Sequence, residues 1–391
     1  MSQLLESRWS ETKEALLEGL QGNKRSVMAT TLENTRKYLA ESATAGATSA
    51  GNIATLNRVI LPVIRRVMPT VIANELVGVQ PMTGPVGQIH TLRVRYADNY
   101  SGSTGDSASA GEEALSPFKV AEGYSGNTNG RADATAAKEG AAGNKMSIQI
   151  LKQTVEAKTR KLSARWTFEA AQDAQAQQGI DIEAEIMAAL AQEITAEIDQ
   201  EVLRSLTTLS GSAVLTYDQA TVSGTATFVG DEHAALAVQI NRASNIIAQR
   251  TRRGAGNFAV VSPFALTIIQ SATTSAFART TEGTFEAPTN TKFVGTLNSA
   301  MKVYVNGYGA DSAPVLIGYK GSSESDAAAF YCPYIPLMSS GVVLDPSTFE
   351  PVVSFMTRYG YVELTNTASS LGNAADYLAN VAITSGNVKF A

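Results

Sequence analysis

Ile182, Ile186, Leu190, Ile194, Ile198, Val202 and Leu206 recur at every fourth position, and this spacing predicts a long helix from Asp181 to Leu206. Asp181 can cap its start, while Glu183 and Glu185 occupy the first turn, where the helix dipole favours negative charge. The helix would run for about 26 residues, or roughly 39 Å. A step of four residues overshoots one turn by about 40°, so the apolar stripe winds round the helix. Such a helix meets different partners along its length. It is expected to act as a spine, with Ile182, Ile186, Leu190, Ile194, Ile198 and Val202 as its core residues.

Upstream, Trp166 to Gln178 reads as a shorter helix ended by Gly179. Before it, Lys152, Thr154, Glu156, Lys158 and Arg160 alternate with Gln153, Val155, Ala157 and Thr159, the period of a strand with one solvated face. This strand is expected to run from Met146 to Arg165. Ile89 to Tyr96 alternates in the same way, with Arg93 and Arg95 outward. Between the two strands, Ser101 to Gly143 is rich in Gly, Ala, Ser and Asn. That stretch is either a disordered insertion or the tip of an extended hairpin. The flanking strands favour the hairpin. With little to pack on in its own subunit, it is expected to meet a neighbour through Tyr100, Leu115, Phe118 and Tyr124.

The chain opens with two amphipathic patterns, one through Leu4, Leu5, Trp9, Leu16, Leu17 and Leu20 and one over Ser26–Ala40. Ser42 to Asn52 is then small and polar, the composition of a flexible linker. Leu56 to Ile72 follows helical spacing, interrupted by Pro62 and Pro69, and Gly78 to Gly87 forces an irregular passage. Past the spine, Thr207–Gly230 reads as loop or short strand. Leu236, Ile240, Ala243 and Ile247 form one helix face, closed by Arg250, Arg252, Arg253 and Gly254. Phe258–Val261 is a buried strand, and Ser262-Pro263 is the cap and first residue of another helix. Met301–Val305, Val315–Tyr319, Phe330–Leu337, Pro351–Leu364 and Val381–Ala391 supply further strand signals.

The net charge of -5 argues against a chain that grips nucleic acid through a basic surface. One cysteine, Cys332, excludes an internal disulfide framework and fits a reducing compartment. The acidic start of the chain does not read as a signal peptide, and no apolar run approaches the ~18 residues of a membrane span. A soluble chain, made inside the cell, is expected. His90 and His233 are far apart and have no ligand-spaced partner; no phosphate loop or metal-binding helix motif occurs. Gly254-Ala255-Gly256-Asn257 leads into a strand rather than following one, the wrong context for a dinucleotide. Cys332, between Tyr331 and Pro333, reads as a small buried hydrophobe. No catalytic, metal or cofactor residue can be nominated, and the chain is not expected to be an enzyme.

Five blocks, in order, resemble the major capsid proteins of T-even-like tailed bacteriophages, which have the Hong Kong 97 fold. They are VMPTVIANELVGVQPMTGPVG (Val67–Gly87), VEAKTRKL (Val155–Leu162) followed by Ala171-Gln172-Asp173 and the spine, RGAGNF (Arg253–Phe258), GYKG with YCPYIP (Ile317–Pro336), and FMTRYG (Phe355–Gly360). The resemblance implies an α+β subunit with an N-terminal arm, an extended loop, a peripheral domain carrying the spine helix and an axial domain. The corresponding division is 1–52 prosegment and linker, 53–88 arm, 89–149 extended loop, 150–230 peripheral domain, 231–344 axial domain, and 345–391 returning to the peripheral domain.

The implied function is self-assembly into hexamers, and pentamers, of an icosahedral head enclosing double-stranded DNA. The implied partners are further copies of the chain, with the portal, scaffold, maturation protease, vertex and cement or decoration proteins. The implied location is the virion, after assembly in the host bacterial cytoplasm. Larger relatives carry an extra domain near the extended loop; here about 49 residues separate Tyr96 from Met146, too few for a sizeable one. The family is cut after Glu in a Leu/Ile-x-Glu setting, which makes Leu39-Ala40-Glu41 the candidate processing site; Leu4-Leu5-Glu6 and Leu16-Leu17-Glu18 also fit the pattern. A pentameric vertex protein, an encapsulin-type compartment shell and, from a different class, a soluble α/β enzyme are the alternatives.

Overall fold

Alternating stretches become strands and fourfold-spaced stretches become helices in the computed structural model. It describes residues 9, 13–14, 16–17, 22–44, 72–102, 107–112, 114, 121–127, 129–140, 142–178, 181–222, 229–251, 253–272, 277–279, 292–298, 300–323, 326–348, 350–364 and 374–388. The expected helix at 56–72 therefore falls outside the described residues, except for Ile72.

The described strands are β1 (Gly78–Val79), β2 (Val86–Tyr96), β3 (Tyr100–Ser101), β4 (Ser107–Ala108), β5 (Met146–Glu156), β6 (Lys158–Arg165), β7 (Leu215–Tyr217) and β8 (Phe258–Val261). They continue with β9 (Phe277–Arg279), β10 (Lys292–Leu297), β11 (Met301–Val305), β12 (Val315–Gly318), β13 (Ala329–Ser339), β14 (Val343–Leu344), β15 (Pro351–Glu363) and β16 (Leu378–Ile383). The principal helices are Gly22–Thr44, Phe168–Gln178, Ile182–Ser210, Val229–Thr251 and Pro263–Ser271. No helix among the described residues is long and apolar enough to cross a membrane.

The chain divides into two units. The first comprises Met1–Gly87, Val155–Ser205 and Ala329–Val362. Its sheet has the order β1-β13-β15-β14, and β6 pairs antiparallel with β15 from Val352↔Arg165 to Tyr359↔Lys158. Strand β13 is buried at nearly every position, and the helix Gly22–Thr44, whose Met28 and Leu32 are themselves buried, packs on it. Each such apolar side chain contributes about 1.5–3 kcal/mol by leaving water. Strand β15 instead buries alternate residues, among them Val353, Phe355, Thr357 and Tyr359, the pattern of a sheet more fully covered on one face.

The spine begins where the sequence places it. Asp181 Oδ1 accepts the Glu183 N–H at 3.1 Å, and the helix runs four residues past its expected end, to Ser210. Leu190, Ile194, Ile198, Val202 and Leu206 are buried, but Ile182 and Ile186 are only half-buried and are not core residues. The fourfold step explains this: about 40° of drift per turn carries the first two members off the face that meets the core. The single strand expected from Met146 to Arg165 is also two strands. The chain changes partner at Ala157, whose N–H donates to Pro85 O at 2.9 Å, so that β5 pairs with β2 and β6 with β15.

The second unit comprises Gln88–Thr154, Leu206–Ala328 and Glu363–Ala391. Its sheet has the order β7-β16-β12-β8-β11-β10-β9. Leu236, Ile240, Ala243 and Ile247 of the helix Val229–Thr251 lie fully buried with Val303, Val315, Ile317, Ala379 and Val381 of the sheet. Ser262 Oγ caps the next helix by accepting the Ala265 N–H at 3.2 Å, with Pro263 in its first turn.

Two expected groupings differ here. Phe330–Leu337 belongs to β13 in the five-stranded sheet rather than with the axial strands. The C-terminal strand β16 pairs with β12 and β7 instead of returning to the peripheral sheet. Strand composition specifies burial, and pairing is decided by which backbone edges meet. Gly254 does not adopt the left-handed conformation expected of a helix C-cap. It is small because a Cβ there would lie 2.6 Å from Tyr319 Cε2.

Candidate assembly site

Among the described residues, strands β2 and β5 form a two-stranded ladder with no third strand on either edge. On β5, Met146, Ile148 and Ile150 lie two residues apart and so share one face, and they are 54%, 68% and 66% exposed. Ser147 and Gln149, between them, are exposed as well. An unsupported ladder carrying an apolar stripe to solvent gains stability when that stripe is covered.

The tip that joins these strands is ordered by its own small core. Tyr96, Ala108, Ala114, Ala121 and Tyr124 are buried together, with Val94 and Tyr100 packed against them. The Tyr96 and Tyr124 rings lie 4.5 Å apart between centroids, and Tyr100 meets Tyr124 edge-on at 6.2 Å. The base of the tip is zipped shut around one hydroxyl. Tyr124 Oη donates to Lys145 O at 2.6 Å and accepts the Asp98 N–H at 3.1 Å, while Asp98 Oδ2 accepts the Lys145 N–H at 2.7 Å. Tyr100 Oη donates to Asn127 O at 3.1 Å. Tyr124, expected to face a neighbour, is thus buried within the tip and unites its strands; Tyr100 is half-buried beside it. Leu115 and Phe118 lie outside the described residues.

A second cluster ties the spine to the sheet of the first unit. Arg160 on β6 donates from Nη1 to Glu197 Oε2 at 2.7 Å, from Nη2 to Glu201 Oε2 at 2.6 Å, and from Nε to Tyr359 Oη at 2.6 Å. The Tyr359 hydroxyl donates in turn to Glu201. Glu197 and Glu201 are one helical turn apart, so a single guanidinium fork spans both carboxylates. Burial works against the Glu201 charge, yet the Tyr359 hydroxyl and Arg160 hold its carboxyl below the usual range. Three elements distant in sequence are joined by one side chain. The only sequence signal for it was the i, i+4 glutamate pair.

The resemblance blocks RGAGNF and GYKG are also clasped together. Asn257 Nδ2 donates to Lys320 O at 2.6 Å, and Asn257 Oδ1 accepts the Lys320 N–H at 3.0 Å. Arg253 pairs with Asp326 at 2.5 Å, and Tyr377 donates to the same carboxylate oxygen at 3.2 Å. The basic residue at this helix end therefore has a tertiary partner beyond the helix dipole.

The sequence pattern of the family described as Major capsid protein Gp23 matches residues 53–385. The chain belongs to this major capsid protein family. The major capsid protein of Vibrio phage KVP40 is 29% identical over 422 aligned residues, covering 85% of this chain and 82% of that one. That of Enterobacteria phage T4 is 28% identical over 411, covering 83% and 78%. Among solved structures, a chain from Microbacterium phage Oxtober96 aligns with 12% identity and a TM-score of 0.47, covering 80% of this chain and 90% of its own. One from the capsid of Myoviridae phage XM1 aligns with 10% identity and a TM-score of 0.44, covering 80% and 91%.

The capsid subunit has the helices and strands expected of an α+β chain, with a hairpin, the spine helix and two sheet-based units among its described residues. Leu39, Ala40 and Glu41 lie in the last two turns of the helix Gly22–Thr44, which continues into the first residues of the expected linker. Cys332 is buried, and that burial pushes its thiol up to about 11, so it packs as a hydrophobe. His233 is buried and shares a 2.6 Å hydrogen bond with Ser271 Oγ, while His90 lies exposed on β2. Among the described residues, no group of three or more His, Cys, Asp or Glu side chains is placed to hold a metal ion.

Proposed function

We infer that this subunit assembles into hexamers and pentamers that close an icosahedral head around double-stranded DNA. The observation that carries this reading is the exposed Met146, Ile148 and Ile150 stripe on a hairpin that has no third strand among the described residues, in a chain of the major capsid protein family. In the assembled shell the stripe lies on a neighbouring copy. Assembly proceeds by repeating this modest contact through symmetry until the shell closes. The self-contained tip travels with the hairpin as a rigid contact piece. The net charge of -5 suits an inner wall that encloses a polyanion without binding it. Portal, scaffold, maturation protease, vertex and decoration proteins are the partners of such a subunit. Processing follows Glu41, and the mature product resides in the virion after assembly in the host cytoplasm.

Negative-stain electron microscopy of the expressed, purified protein tests this reading. Closed shells, tubes or capsomer sheets are expected. Particles that remain monomeric even with the phage's scaffold co-expressed would overturn it.

A further inference from the structure

Among the described side chains, those that attach the N-terminal helix to the rest of the first unit lie between Lys24 and Asn34. Val27, Met28, Thr31 and Leu32 are buried. Asn34, 7% exposed, uses both hydrogens of its side-chain amide: it donates to Met82 O at 2.7 Å and to Tyr334 O at 3.0 Å. Those carbonyls belong to two separate segments, the passage after β1 and strand β13. Lys24 pairs with Glu75 at 2.8 Å. Trp9 Nε1 donates to Glu33 at 3.2 Å, and Lys13 pairs with the same carboxylate at 3.3 Å, so residues still nearer the N-terminus are bound back onto the helix.

A protease reads an extended backbone, so cutting after Glu41 requires the end of the helix, around Tyr38–Thr44, to unwind locally. The anchoring residues sit beyond that stretch and stay in place. We propose that the segment ending at Glu41 is held on the first unit by its own packing, so that cutting the chain leaves it bound as a separate peptide and its departure is a second step. The cut converts an intramolecular contact, with an effective concentration on the order of millimolar, into a bimolecular one. Until the peptide leaves, β13 and the carbonyls of Met82 and Tyr334 stay covered. The physiological meaning of this two-step release rests on processing at Glu41; the docking itself does not.

The test separates the two. A recognition sequence for a site-specific protease is inserted between Gly51 and Asn52 in the full chain, the purified subunit is cut, and the products are run on a sizing column at micromolar concentration. The N-terminal peptide is expected to co-elute with the body, with amides of residues 27–34 still protected from hydrogen exchange. Released from that packing, the helix would lose most of its stability in water and with it this protection. Asn34→Ala, which leaves two buried carbonyls without donors, is expected to weaken retention about 10- to 100-fold. Should that variant fail to fold, Lys24→Ala in the exposed ion pair gives a milder version, expected to weaken retention about 2- to 5-fold. Separation of the wild-type peptide from a folded body at once after cutting, or loss of amide protection on cutting, overturns the proposal. Because a foreign protease makes the cut in unassembled subunits, failure of shell assembly or phage processing at another residue would leave this result standing.

Discussion

The buried carboxylate of Asp199, on the spine, accepts the main-chain N–H of Ile72 at 2.8 Å, just ahead of the passage that leads into β1. Asp199 is 2% exposed. Burial pushes its carboxyl up to about 7, against the smaller opposing effect of the Ile72 N–H. Because the folded-state value lies above the unfolded one near 4, the unfolded chain gives up its proton first as pH rises. The stability Asp199 contributes is full below about pH 4 and is lost progressively up to about pH 7, on the order of 3–4 kcal/mol in total. Asp199→Asn keeps an acceptor for Ile72 and removes the titration. Urea unfolding of unassembled subunits should show the variant gaining stability over wild type between pH 5 and 8, with the gap widening as pH rises. A constant gap would show that Asp199 does not titrate in this window.

Glu201 behaves with the opposite sign. Its carboxyl is held below the usual range, so its contribution is present above about pH 4 and fades as pH falls through the folded value. Arg160→Ala removes the shared counter-charge of Glu197 and Glu201, leaving like charges one turn apart. The pairs are partly exposed, so the expected cost is about 1–2 kcal/mol rather than the larger penalty of a fully buried pair. A double-mutant cycle of Arg160→Ala with Glu201→Gln should give a coupling of about 0.5–1 kcal/mol at pH 7 and a smaller one at pH 4.

Gly318 lies directly across from Phe258 in the β12–β8 pairing, and a Cβ at Gly318 would enter the Phe258 ring. Gly318→Ala should therefore cost about 2–3 kcal/mol by overpacking the centre of the seven-stranded sheet. Adding Phe258→Leu should recover part of that loss. Thermal unfolding of the two variants checks both statements.

Ile148→Asp with Ile150→Asp places charge on the exposed stripe without touching a buried group. Subunit stability should change by less than about 0.5 kcal/mol. Sedimentation velocity should nevertheless show loss of large assemblies. Wild-type shell formation by this double variant would remove the stripe from the assembly contact.

The spine was legible because an uninterrupted fourfold repeat has few other uses, and the cap Ser262-Pro263 because it needs only neighbours in the chain. The Arg160 cluster and the Asn34 anchor were not, since each joins positions that no local pattern relates. The tip was half legible. Its flanking strands showed as alternation, but a core made of alanines and three tyrosines has too little apolar signal to distinguish from a linker.

Local order was thus determined by the sequence alone: which stretches are helix or strand, which faces are apolar, where the spine starts, and, through ordered blocks of residues, the family. Only the tertiary structure decided that Met146–Arg165 divides at Ala157, that β13 and β16 exchange their expected sheets, that Ile182 and Ile186 leave the core, and that Tyr124 turns inward. The physical reason is that periodicity records which face of an element is buried. It carries no label for the partner that buries it, and that partner is chosen by backbone edges and side chains far away in the chain.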